Sequence, residues 1–342
     1  MTSTSHTLPA PVALRAWPLP SAVPLLALAA LLAAPLVLTP YLSDLVQKIV
    51  IFSVFALSLG LLVGTTGLVS LGHAAFFGIG AYATALASSD AGPGSMALLL
   101  PLAMLGAGAY ALFVGALSLR TKGVYFIMVT LAFAQMAYFV FHDTHFAGGS
   151  DGMFLTYRPV LAIAGVTLVD LELPLHRYYL AAGALAATYA LLAVLQRSRF
   201  GHALAGIRAN EQRMRAAGFN TYAYKLAAFV LAAMLAGLAG FLMASKDGAV
   251  NPELLSWHES GAVLMMIILG GLGSLRGAVL GTVAFILLKE ALSSEALLGA
   301  LAGRWQLTLG VTMIAFVALM PKGLAGLHTQ WQQRRKENKH EH

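Results

Sequence analysis

The stretch SRFGHALAGIRANEQRMRAAGFNTYAYK, Ser198–Lys225, is a polar, basic, helix-prone island between two apolar runs. Each run is about 20 residues long, enough to cross a bilayer as a helix. Two short helices are legible inside the island. The first covers about Arg199–Arg208, with Ala203, Leu204 and Ile207 on one face. Asn210 is placed to cap the second, which opens with Glu211 at its positive end and continues through Arg213 and Arg215. Gly218 stands where a helix stop needs a left-handed residue. Two such helices lying across a membrane surface, alanines at the contacts and arginines at the rim, make a compact knob that fits a cleft in a soluble partner. A plainer reading, a basic loop that only fixes orientation, is compatible with the same pattern.

Outward from the island the chain is apolar. Of 342 residues, 59% are hydrophobic and only 10% charged, against about a quarter charged in soluble domains; the mean hydropathy is +0.79. The runs are continuous rather than alternating, which predicts helices and not a membrane barrel. The expected fold is an all-α polytopic membrane protein with about ten spans, near Ala22–Leu38, Leu45–Val63, Gly72–Ala87, Met96–Leu119, Val124–Phe141, Tyr178–Leu195, Leu226–Ala244, Gly261–Leu269, Ala278–Leu292 and Trp305–Met320. Residues 1–20 read as a disordered cytosolic arm, 21–325 as the transmembrane domain with its cytosolic loop at 197–225, and 326–342 as a basic cytosolic tail that contacts lipid headgroups at most.

Charge distribution orients this arrangement. With the N-terminus in the cytosol, only Lys48, Arg158, Arg177, Lys246, Lys289 and Arg304 of the 21 basic residues fall outside or at outer span ends, leaving 15 inside. Of the 14 acidic residues only Glu211, Glu337 and Glu341 fall inside. Such an excess of inside Lys and Arg is what membrane insertion selects. Both termini and the island are therefore expected in the cytosol. The net charge of +7 is a topology signal and not a nucleic-acid footprint.

Two segments are crowded with glycine: Gly64, Gly67, Gly72, Gly78 and Gly80 in one, Gly270, Gly271, Gly273, Gly277 and Gly281 in the other. Glycine at this density either lets helices pack closely or lets a helix unwind and offer backbone to a solute. Gly67-Leu68-x-Ser70-Leu71 parallels Gly271-Leu272-x-Ser274-Leu275, which hints at an internal repeat with a passage between halves. The candidate pathway residues are Gly67, Ser70, Gly72, His73, Thr130, Gln135, Gly271, Gly273 and Ser274. His73 is either a pathway residue or a hydrogen-bonded member of the bundle. Asp44, Glu259 and Glu290 sit towards span ends, so no carboxylate is expected mid-span. An ion-coupled carrier usually needs one there, which makes a secondary transporter the alternative reading.

The sequence lacks the Gly-x-x-x-x-Gly-Lys-Ser/Thr phosphate loop, the His-Glu-x-x-His zinc pair and the Gly-x-Ser-x-Gly elbow. With no cysteine there is no disulfide or thiolate metal site. No enzyme activity, metal or cofactor is expected of this chain.

The island and the stretch after it, NTYAYKLAAFVLAAMLAGLAG, resemble the cytosolic coupling segment of ABC importer permeases, although Gln212 and Arg213 stand where alanines are usual. GLVSLGHAAFFGIGAYATALA (Gly67–Ala87), TKGVYFIMVTLAFAQ (Thr121–Gln135), GGSDG (Gly148–Gly152) and GGLGSLRGAVLG (Gly270–Gly281) resemble the LivM-type permease subunits of branched-chain amino acid importers. The resemblance implies the ABC importer permease fold with coupling helices, in a bacterial inner membrane. It implies separate ATPase subunits gripping the island through Arg208, Asn210, Glu211, Arg215, Ala217 and Gly218. It also implies a second, related permease subunit and a periplasmic solute-binding protein. The cargo it implies is a branched-chain or other small amino acid, with urea or amides as the alternative.

Overall fold

The computed structural model describes residues 22–88, 92–163, 166–294, 299–320 and 323–326. The expected N-terminal arm and basic tail lie essentially outside them. Apolar runs with no water to bond to close their own backbone hydrogen bonds, and the result is helical. Ten helices answer to the ten expected segments: α1 Ala22–Val37, α2 Pro40–Leu61, α3 His73–Ala87, α4 Met96–Ser118, α5 Val124–Asp143, α6 Pro174–Arg197, α9 Thr221–Asp247, α10 Trp257–Gly270, α11 Leu275–Ser293 and α12 Trp305–Leu319. The island supplies α7 Arg199–Ala209 and α8 Glu211–Ala216.

By length and hydropathy six of the described helices suffice to cross a membrane, or seven if α10 and α11, bent by 116° at Gly271–Ser274, count as one broken span. α3 is apolar but only 15 residues long. Among the described residues the strands form two ribbons, β1 Met153–Phe154 with β4 Ala249–Val250, and β2 Val160–Ile163 with β3 Val166–Asp170, both antiparallel.

The 27-residue α9 is the axis of the bundle, about 40 Å long at 1.5 Å per residue. Asn220 caps its start by accepting from Ala223 N at 3.1 Å, and Gly248 ends it at φ +66°. Small residues let it sit deep. A Cβ added at Gly240 would overlap Phe77 O of α3, and one at Gly80 would overlap Gly237 O. A Cβ at Gly237 would lie 2.7 Å from Ala103 O of α4. Backbone-to-backbone approach of this kind replaces the hydrophobic driving force that helices lack in lipid. Around it Phe55 and Phe77 stack at 4.6 Å, and Phe76 meets Phe229 edge-on at 5.4 Å. α2 with its terminal turn is 83% buried in its most apolar window, whereas α5 is 22% buried and turns its large apolar side chains outward.

The two ends of α9 carry different chemistry. Its first turn meets α8 at the island. Its last turn is held by Arg158, which donates from Nε to Ser245 O (2.9 Å) and pairs with Glu172 (3.0 Å). Lys246 there pairs with Asp44 of α2 at 2.8 Å and with Asp247 at 3.0 Å. A cation on the last carbonyls of a helix also satisfies its dipole.

After α9 the chain does not stay at that end. Pro252–Leu255 drops alongside α3, where a Cβ at Gly78 would overlap the Leu255 side chain. Ser260 of α10 accepts from Ala74 N, the second residue of α3, at 2.8 Å. Since α3 runs on to Ala87, this contact lies a helix length, about 20 Å, below the far end of α3. Glu259 lies in the first turn of α10 and is half-buried.

Candidate functional site

The island folds for reasons its sequence states. Ser198 Oγ accepts from Gly201 N (3.3 Å) to start α7, whose Ala203, Leu204 and Ile207 are buried. Asn210 Oδ1 accepts from Arg213 N at 2.9 Å to start α8, and Gly218 stops it at φ +87°. No residue of α8 is buried, so its outer face, with Ala217 and Gly218 following, is open to a partner.

Glu211 is the pin of this knob. Its Oε1 accepts from Arg215 Nη2 (2.6 Å) and Thr221 Oγ1 (3.1 Å), and its Oε2 from Lys225 Nζ (2.7 Å). Arg215 Nε in turn donates to Thr221 Oγ1 at 3.0 Å. Thr221 and Lys225 belong to the first turns of α9, so one carboxylate fastens α8 to the axis of the bundle. Burial alone would raise the Glu211 pKa, but the bond and charge of Lys225, with Thr221 and Arg215, outweigh it and hold the carboxyl at about 2 against an ordinary 4.5. A pKa depressed in the folded state contributes stability above the unfolded value, and the contribution is lost as pH falls from 4.5 through about 2. The Glu211 carboxyl carbon, followed by NMR in labelled protein, is expected to titrate near pH 2 and to move upward in Lys225→Met. A midpoint at the ordinary value in the unaltered chain would mean that the pin is not formed.

Arg208 joins the two residue sets read from the sequence. From the last turn of α7 it donates Nη1 to Gly64 O, in the π-turn Leu62–Thr66 that ends α2. Its stem passes Gly67, where an added Cβ would lie 3.3 Å from Cγ. Its Nη1 lies 3.9 Å from where a Cβ on Gly273 would stand, and the Cβ of Gly64 would meet Gly273 Cα at 3.0 Å. Both glycine-broken segments thus converge on one arginine of the island.

Some of the glycines break the helices and others pack them. Gly67, Gly271 and Gly273 hold φ of +73°, +111° and +85° at the breaks. Gly72 is a packing position, where a Cβ would overlap Thr130 O of α5. Gly270, Gly277 and Gly281 bring α10 and α11 into backbone contact. Ser274 caps α11, accepting from Gly277 N at 3.1 Å, and Ser70 accepts from Gly72 N at 3.3 Å. Thr130 donates within its own helix to Ile127 O at 2.9 Å.

His73 is fully buried, its ring stacked on Phe55 (5.7 Å) and met edge-on by Phe76 (5.6 Å). Its Nε2 is 2.9 Å from Ser58 Oγ, which already donates to Phe55 O, so Nε2 carries the proton and Nδ1 is an acceptor. That Nδ1 and Gln135 Oε1 are buried without a partner among the described residues.

Comparison with known proteins now has a site to fit. A family described as the permease component of branched-chain amino acid transport systems matches residues 41–318. The chain belongs to that family. The match takes in α7, α8 and both glycine segments. The high-affinity branched-chain amino acid transport system permease protein LivM of Salmonella typhimurium LT2 is 29% identical over 300 residues, covering 82% of this chain and 69% of the relative. LivM of Escherichia coli K12 gives the same figures. The xylose transport system permease protein XylH of Escherichia coli K12 is 33% identical over 96 residues, 27% of this chain and 24% of that protein. No solved structure matches.

Within this permease, sequence reading missed Lys225 and Thr221 as partners of Glu211, and Gly64 as the partner of Arg208. Only the Glu211–Arg215 pair has a local signal, its i,i+4 spacing.

Proposed function

We propose that this protein is the membrane-spanning subunit of an ATP-driven importer, with its island as the part that a separate ATPase grips. The observation that carries the reading is the double attachment of the knob: Glu211 pins α8 to α9, and Arg208 reaches the glycine breaks of the passage. A push on α7 and α8 therefore moves α9 and the two loops together. Arg208, Asn210, Glu211, Arg215, Ala217 and Gly218 form the coupling surface. Gly67, Ser70, Gly271, Gly273 and Ser274 line the moving neck of the pathway. Gly72, His73, Thr130 and Gln135 stand behind it.

The arrangement proposed here has ten crossings, with both termini in the cytosol of a bacterial inner membrane. On that count the short α1, α3, α10 and α11 each traverse, α3 being completed by the irregular residues 67–72. The large apolar faces of α4, α5 and α12 take lipid and a second, related permease subunit, and the β1–β4 end receives a solute-binding protein. Cargo is a branched-chain or related small amino acid, as family membership and the LivM relatives suggest; urea and amides are the neighbouring possibility. ATP binding and release shift the bundle between outward- and inward-open states.

Glu259, a half-buried carboxylate in the first turn of α10, is the observation that favours a second reading, an ion-coupled carrier. One experiment separates them. In proteoliposomes holding this chain with its co-encoded ATPase, permease and binding protein, leucine uptake is expected to require ATP and to vanish without the ATPase. Uptake driven by an ion gradient alone would overturn the importer reading.

A further inference from the structure

The last turns of α6 and the first turn of α11 frame an open cavity of about 240 Å³, many times the about 10–15 Å³ that one water needs. The α6 wall is Tyr189, Ala193 and Gln196, which recur on one helical face, with Arg197 ending the helix. The α11 wall is Ser274 and Leu275, followed by Arg276. Two arginines from different helices thus share one cavity, and among the described residues no carboxylate lines it.

Every polar group on these walls suits an anion. Arg197 and Arg276 each make another interaction, but a guanidinium has five N–H donors in a fork that fits phosphate oxygens in pairs, so one partner does not exhaust it. Gln196 and Tyr189 add N–H and O–H donors. The 19-residue α11 opens here behind its Ser274 cap, and the first N–H groups of a helix carry its positive end. Like charges in one cavity repel, and an anion between them reverses the sign. The place of the cavity narrows the choice of anion. It lies at the end of α6, a helix long and apolar enough to cross a membrane, and basic pockets between such helices take phosphorylated headgroups.

We propose that this cavity binds a phosphate ester, gripped by Arg197 and Arg276 over the first turn of α11. An anionic phospholipid headgroup and a soluble phosphate share that chemistry. Arg197 directly precedes Ser198, which caps α7, and Ser274 directly follows Gly273 of the glycine break. A phosphate seated there bridges the root of the island and the break between α10 and α11. The binding does not depend on what the protein transports.

The full chain, purified in a neutral detergent, is titrated with phosphatidylglycerol, read by native mass spectrometry, and with radiolabelled inorganic phosphate, read by equilibrium dialysis. Phosphatidylglycerol is expected to bind. Binding of the lipid alone identifies a headgroup site, and inorganic phosphate that binds and competes with the lipid shows that a soluble group suffices; both support the proposal. The double variant Arg197→Gln with Arg276→Gln is expected to weaken binding about tenfold or more, the loss of charged hydrogen bonds. Ala193→Phe fills the cavity without removing a charge and is expected to weaken binding to a similar degree; it decides alone if the double variant gives no monodisperse protein. Arg120→Gln, which does not line the cavity, is expected to bind as the unaltered chain does. Binding of neither ligand overturns the proposal, as does unaltered affinity in either cavity variant. A loss in Arg120→Gln as large as in the double variant also overturns it, because diffuse surface charge would then explain the binding.

Discussion

Gly240→Leu is expected to abolish the folded protein. The Cβ alone would overlap Phe77 O and lie 2.8 Å from Ala81 N, so the clash is with the backbone of α3 and no rotamer relieves it. α9 would have to leave α3, breaking the contacts that also position Gly80 and Gly237. Overpacking ordinarily costs about 1–3 kcal/mol. Separation of two backbones belongs with the rare changes above about 4 kcal/mol. Gly183→Ala in α6 meets nothing within 4 Å and is expected to be neutral or slightly stabilising through helix propensity. Monodisperse yield and thermal melting in detergent measure both. A Gly240→Leu protein that melts like the unaltered one would refute the close α3–α9 packing.

Glu211→Lys is expected to leave the protein inserted and to abolish transport. The substitution replaces the acceptor of three hydrogen bonds with a third cation beside Arg215 and Lys225. The cluster is partly exposed, so breaking it from one side costs less than the about 3–5 kcal/mol of a fully buried pair, and the loss is local, because the spans do not depend on α8. The island would come away from α9 while the bundle stands. ATP hydrolysis stimulated by the binding protein should fall with transport, whereas membrane yield and melting of the bundle should not. Arg208→Ala is expected to give a milder version, since α8 stays pinned and only the link to the glycine breaks is cut.

These two outcomes separate what the sequence made legible from what it did not. The helices were readable because each is a continuous apolar run, and α7, α8 and their stops were readable because caps and a left-handed glycine are local chemistry. Asn210, Glu211 and Gly218 act where the pattern put them. The pin itself was not readable, because Lys225 lies 14 positions from Glu211 and nothing local marks the pair. The contact of Arg208 with Gly64 spans 144 positions; the sequence assigned one residue to coupling and the other to a glycine-rich segment without joining them. Gly72 and Thr130 were chosen as separate pathway residues, and the fold shows them in backbone contact.

The central claim is that the knob receives a push from a partner and passes it to α9 and the glycine breaks. A single cysteine at Arg213→Cys, on the open face of α8, tests it most directly in the otherwise cysteine-free chain. In membranes containing all subunits, a short thiol cross-linker is expected to join it to the ATPase, and ATP is expected to change the yield. Labelling of that cysteine in intact cells by a reagent confined to the periplasm, or no cross-link with every subunit present, would contradict the account.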